Sequence, residues 1–240
     1  MNNQKSLIMR QPDLVLTLLI LAWPVWEHRV GLPRLQAALA QGRPDALTRS
    51  YRRTILLQWS LALLALLIWT LPGRPLADLG LRLPQGWRAG LTLALLGLLG
   101  AVLFRQERAV RRDPAAREKV RPQLAAVAWF LPRTRPELAG FTRLGLTAGV
   151  CEELLCRGWL FAVLAPWLPV GVTLLLTSLF FGLGHWYQGP AGVAKTGITG
   201  LVMGALYLAT GSVLVPMVVH AAFDVGSGRV AFLVLGEPPV

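Results

Sequence analysis

Along the chain, long apolar stretches alternate with short polar ones. The runs fall near Leu14–Trp26, Ile55–Leu71, Ala89–Phe104, Leu138–Ala165, Trp167–His185, Ala191–Ala209 and Ser212–Leu235. Their length and apolar content predict membrane-spanning helices. Several hold fewer than the ~20 residues that a crossing helix needs, so they borrow flanking residues, and about seven spans (six to eight) are expected. The breaks carry turn chemistry: Pro72-Gly73, Pro166 with Pro169, Gly189-Pro190 and Gly211. The pattern therefore predicts an all-α, polytopic helical bundle in the membrane, with an N-terminal part (1–130) of spans and basic loops and a C-terminal part (131–240) forming one integral domain with it. No internal repeat is evident, which disfavours a transporter built from inverted halves.

Composition strengthens this picture. Of 240 residues, 54% are hydrophobic and 15% charged, where soluble domains carry about a quarter charged residues. The formal charge of +12 raises the question of nucleic acid, but its placement answers it. Twenty of the 24 Lys and Arg precede Pro136, concentrated at Arg29 to Arg53 and Arg105 to Arg135, between apolar runs and without the aromatic interleaving that stacks bases. No nucleic-acid partner is expected. Basic loops beside spans mark the cytoplasmic side, so loops 27–54 and 105–137 are expected there, with the N-terminus outside. Lys5 and Arg10 precede an apolar run with no small-residue cleavage site after it, which reads as an uncleaved first span. Ala115–Phe130 mixes charged and apolar residues and fits either an interfacial amphipathic helix or a solvated loop. Only 3 of the 24 basic residues are Lys, a bias that points to a GC-rich, prokaryotic genome and hence to a prokaryotic inner membrane.

Cys151 and Cys156 lie in one helical run, turned about 140° apart, so they cannot pair within it and offer no zinc signature. Gly200 and Gly204 give a small-xxx-small spacing suited to close helix packing.

From Leu138 onward the acids are Glu152, Glu153, Asp224 and the terminal Glu237, and the histidines are His185 and His220. An Asp or Arg at the centre of a span costs about 2.5–3.5 kcal/mol on insertion scales. Such residues need partners or a cavity. Glu153 and Arg157 stand i, i+4 with the acid first, the favourable order for a pair. Glu152 is turned about 100° from Glu153 and about 140° from Arg157, which leaves it aimed at another neighbour. His220 and Asp224 repeat the i, i+4 spacing, and a carboxylate there can orient the imidazole. In Phe181-Gly-Leu-Gly-His185, two glycines allow something to approach the histidine. Glu152 and His220 each lie roughly 12 Å into their spans from opposite ends, so both reach the middle of a core about 30 Å thick.

Three motifs in this order, Glu152-Glu153-xxx-Arg157, Phe181-xxx-His185 and His220-xxx-Asp224, resemble the CPBP family of intramembrane proteases, the CAAX prenyl endopeptidase and bacteriocin-processing group also called Abi. The similarity covers about Leu131 to Val230. It implies helices around a polar intramembrane cavity, and peptide-bond hydrolysis in which Glu152 with His185 activates water while His220 with Asp224 stabilises the oxyanion. Glu153, Arg157 and Phe181 would support them. The position of Asp224 is Asn in the eukaryotic prenyl endopeptidases, and an ionised Asp cannot donate to an oxyanion, so it either orients His220 or carries a proton. The family name implies a metalloprotease. The residues favour metal-free chemistry and no cofactor, since there is no His-Glu-xx-His helix and no thiolate cluster; zinc on Glu152, His185 and His220 is the alternative. The substrate would be a leader-bearing peptide or another membrane protein. A catalytically silent membrane partner, such as a bacteriocin-immunity protein, and a proton-coupled transporter are the competing readings.

The two basic segments carry 15 of the 24 positive charges, which assigns them to the cytoplasmic side. Single cysteines placed at Arg43 and Arg112 are expected to resist an impermeant thiol reagent added to intact cells; labelling at both would invert the topology.

Overall fold

The computed structural model describes residues 10–236, so Lys5 and Glu237 lie outside the described residues. Every regular element among them is helical. In chain order these are α1 (Gln11–Ala40), α2 (Ala46–Thr70), α3 (Trp87–Arg112), α4 (Pro114–Leu124), α5 (Arg135–Glu153), α6 (Val170–Gly184), α7 (Gly189–Thr210) and α8 (Leu214–Leu235). The helix that begins with α5 runs on through a π-helical segment, Leu154–Leu160, into Phe161–Leu164.

Each apolar run falls on a helix. Among the described residues, five helices are long and apolar enough to cross a membrane by length and composition: Gln11–Ala40, Ala46–Thr70, Trp87–Arg112, Trp186–Thr210 and Leu214–Leu235. Val170–Gly184 is apolar but has 15 residues, about 22 Å against a core of about 30 Å. The α5 segment carries Arg143, Glu152, Glu153 and Arg157 and stands inside the bundle. On the outer faces large apolar side chains point outward: Leu93, Leu98, Leu175 and Leu179 are all more than half exposed. An apolar exterior around charged residues that are fully buried suits lipid, and the chain is an integral membrane protein.

The basic segments are not loops. Residues 27–40 continue α1, with a π-helical turn at Glu27–Gly31 just ahead of Pro33. In the widened turn the Leu32 N–H donates to the Glu27 carbonyl, five residues earlier, just before a proline that has no N–H to continue the ladder. A chain reversal comes only at Gly42, whose positive φ suits it, and α2 begins at Ala46. Arg105 to Arg112 complete α3. After them, Ala115–Phe130 is helical over Pro114–Leu124, with the Asp113 side chain accepting from the Ala115 N–H at 2.8 Å and no residue buried.

The α5 helix starts in a capping box formed by Thr134 and Glu137 and is clasped by α2 and α8. Tyr51 of α2 donates its hydroxyl to the Phe130 carbonyl, and Trp59 Nε1 donates to Thr147 Oγ1 at 3.3 Å. Trp69 and Trp159 meet edge to face at 5.8 Å, and the Trp159 indole donates to Thr17 of α1 at 3.1 Å. Asp13, almost fully buried, takes two hydrogen bonds from Arg74, at 2.6 and 3.1 Å, and so ties α1 to the end of α2.

Against α8, α5 presents glycines. A Cβ on Gly149 would meet the backbone of Ala221 at 2.6 Å, and one on Gly145 would meet the Asp224 Cβ at 2.8 Å. This closeness sets His220 and Asp224 beside Glu152 and Glu153. Gly149→Val is therefore expected to cost about 1–3 kcal/mol or more through overpacking, read as a fall in the midpoint of thermal unfolding of the purified protein. Gly171→Ala, where nothing lies within 4 Å, should leave that midpoint within experimental error.

Candidate active site

A cavity of about 460 Å³ opens between α1, α2, α5, α6, α7 and α8, and Glu152, His185, His220 and Asp224 all line it. Its walls combine apolar side chains with these convergent polar groups, as ligand sites do.

Beneath the cavity floor lies a fully buried network. Glu153 and Arg157 have no exposed surface, and the expected pair forms, with Arg157 Nη1 2.9 Å from Glu153 Oε1. The second guanidinium nitrogen donates to the Gly200 carbonyl at 2.8 Å. A Cβ at Gly200 would sit 3.3 Å from that nitrogen and 3.2 Å from Ser178, so this glycine serves helix packing and also gives Arg157 its anchor. The guanidinium lies over the Phe181 ring at 4.5 Å.

The same Glu153 oxygen accepts from His220 Nδ1 at 2.9 Å. His220 Nε2 lies 3.6 Å from Asp224 Oδ2, beyond hydrogen-bond reach. The carboxylate that orients the imidazole is therefore Glu153, from another helix, while Asp224 is the half-buried acid across the ring. Besides lying under Arg157, Phe181 packs edge-on against His220 at 5.7 Å and meets the tilted His185 ring at 5.0 Å.

His185 caps the end of α6, where its Nδ1 is 2.9 Å from the Phe181 carbonyl. A carbonyl only accepts, so Nδ1 carries the proton and the neutral ring keeps its lone pair on Nε2. Of the two glycines before it, Gly182 makes the close approach: a Cβ there would meet the Val193 carbonyl at 2.7 Å, whereas at Gly184 the nearest atom is 3.6 Å away.

Glu152 is half-buried, turned from Glu153 toward the cavity, and its Oε1 accepts from Gln58 Nε2 at 2.7 Å. Gln58, on α2, is absent from the motifs, although an amide inside the apolar run Ile55–Leu71 was a readable signal. Glu27 and His28 also face the cavity, and Arg53 of α2 donates to Glu27. That pair is missed for a different reason: both residues belong to stretches that the charge pattern assigns to a solvated loop.

Among the described residues, no three His, Cys, Asp or Glu side chains converge closely enough to hold a metal ion. The alternative donor set of Glu152, His185 and His220 does not fit zinc in this arrangement. Cys151 and Cys156 are both free and buried.

Helices of membrane-crossing length around a buried ion-pair network and a polar cavity define a polytopic membrane protein with a polar site inside its helical bundle. Residues 134–226 match the family model of the type II CAAX prenyl endopeptidases, described as Rce1-like. All three sequence motifs lie within that stretch, and the match agrees with the resemblance they carry. No curated protein and no solved structure matches the chain.

Removing one member of a buried pair costs about 3–5 kcal/mol. Glu153→Gln would leave Arg157 without its counter-charge and weaken the contact that fixes His220. The variant is expected to lose folded yield and thermal stability together, measured beside the parent protein in one membrane background. Unchanged stability would mean that the network is not what holds these helices.

Proposed function

We propose that this protein is an intramembrane endopeptidase that hydrolyses a peptide bond of a leader-bearing peptide or membrane protein at the prokaryotic inner membrane. The observation that carries the reading is the orientation of two histidines in one cavity with Glu152. His185 has its Nδ1 spent on the Phe181 carbonyl and His220 has its Nδ1 spent on Glu153, so the Nε2 of each ring is left for chemistry. The family match supports a CAAX-type membrane protease at the level of reaction class.

Water held between Glu152 and His185 Nε2 gives its proton to Glu152 as its oxygen bonds to the scissile carbonyl carbon. The negative charge that develops on the carbonyl oxygen is met by His220 Nε2. That nitrogen can donate only in the imidazolium, whose two N–H groups suit a ring with Glu153 on one side and Asp224 on the other. Collapse of the tetrahedral adduct breaks the C–N bond, and Glu152 returns its proton to the leaving amine. Asp224 serves here as the second counter-charge to His220.

Glu152→Gln keeps the shape of the side chain and removes the base. It should accumulate to parental levels, purify as a monodisperse helical species and retain bound substrates from native membranes, which mass spectrometry would identify. On those substrates it should cleave nothing. A rate above about a tenth of the parent's, a loss under roughly 1.4 kcal/mol in the barrier, would exclude Glu152 as general base. Bound partners that the parent enzyme leaves intact would favour a catalytically silent membrane protein.

A further inference from the structure

Gln58 is buried in the middle of α2, with 6% of its surface exposed. Its Nε2 donates to Glu152 Oε1 at 2.7 Å, while its own Oε1 is buried with no partner among the described residues. A half-satisfied amide in an apolar helix is costly, and a native structure that keeps one calls for an explanation. Docking of α2 on α5 does not supply it, because Trp59–Thr147 already ties the two helices and Tyr51–Phe130 ties α2 to the turn that precedes α5.

The chemistry of the pair does supply one. As a carboxylate, Glu152 only accepts, and the amide N–H meets it. Once Glu152 has taken a proton, one of its oxygens becomes a donor. A half-turn of the Gln58 terminal torsion, which is soft and roughly two-fold, would present the unpartnered Oε1 to that proton. Among uncharged side chains of this length, a primary amide alone offers a donor and an acceptor at the same position.

We propose that Gln58 is a positioning residue that holds Glu152 in both of its protonation states, from a helix outside the segment matched to the family. The inference rests on the reading of Glu152 as the base. In the first step the water proton passes to Glu152 while the water oxygen bonds to the carbonyl carbon. In the second, the C–N bond breaks, the carbonyl re-forms and the same proton goes to the amine. Between the two steps Glu152 is an acid, and the amide gives its proton a partner until the leaving amine, a stronger acceptor, takes it.

Two variants of nearly the same length test this in the full chain, reconstituted in lipid. Gln58→Met removes both hydrogen bonds. Gln58→Glu keeps the shape but can donate only when the introduced carboxyl is protonated. Without any substrate, the infrared carboxyl band of protonated Glu152, isolated by acid-minus-neutral difference against Glu152→Gln, should move in Gln58→Met. A band that stays in place overturns the proposal. With a peptide carrying the sequence captured by Glu152→Gln, Gln58→Met should lower kcat about 10- to 100-fold and leave KM unchanged, because Gln58 meets substrate only through Glu152. Gln58→Glu should regain activity toward acid pH, where the parent does not.

Parental kcat in Gln58→Met, or a loss fully explained by reduced folded protein, overturns the positioning role. A rate above about a tenth of the parent's in Glu152→Gln would instead remove the reading of the base itself. The two failures are thus told apart by which single variant stays active.

Discussion

One carboxylate oxygen holds two elements of the structure in register. Glu153 Oε1 takes hydrogen bonds from Arg157 on its own helix and from His220 on α8, both at 2.9 Å and both deep in the bundle. Arg157 in turn reaches the Gly200 carbonyl of α7 and lies over Phe181 of α6. Four helical segments therefore meet on a single ion pair. In a bilayer, where burial in hydrocarbon adds little preference for one helix contact over another, such polar contacts and close packing set the arrangement. The same network that fixes the bundle also orients the His220 ring.

That network needs helices closer than ordinary side chains permit. Gly149 and Gly145 let α8 approach α5, Gly182 lets α7 approach α6, and Gly200 opens the space beside Arg157. The π-helical segment Leu154–Leu160 follows directly after Glu153 and contains Arg157. Widened turns of this kind recur at functional sites because they re-aim side chains that a regular α-helix would place elsewhere. Here the segment sits where two adjacent glutamates are sent to different tasks, one to the buried pair and one to the cavity.

The cavity is not the property of the C-terminal half. Trp23, Glu27 and His28 of α1 and Gln58 of α2 share its lining with Glu152 and the two histidines. The segment matched to the family supplies the acids and imidazoles that the proposed chemistry uses. Residues outside it supply a wall, a second ion pair and the amide on Glu152. Variation in those outer helices could thus change what the cavity admits without touching the motifs.

Much of this was legible in the chain itself. Runs of apolar residues fixed the helical, membrane-embedded class, because hydrocarbon leaves a backbone little choice. Spacing alone paired Glu153 with Arg157 and turned Glu152 away from them, since both facts follow from helix geometry. The partners of His220 could be read only in part that way: spacing pointed to Asp224, which does lie 3.6 Å from the ring, but the hydrogen bond is to Glu153, 67 residues earlier. Gln58 lies 94 residues before Glu152, and basic segments that charge marks as loops are helices, because positive charge reports which side of the membrane a residue favours and not its backbone state. Local periodicity decides what lies on one helix; which faces meet is set by glycine contacts and a π-helical turn whose effect exists only once the helices have packed.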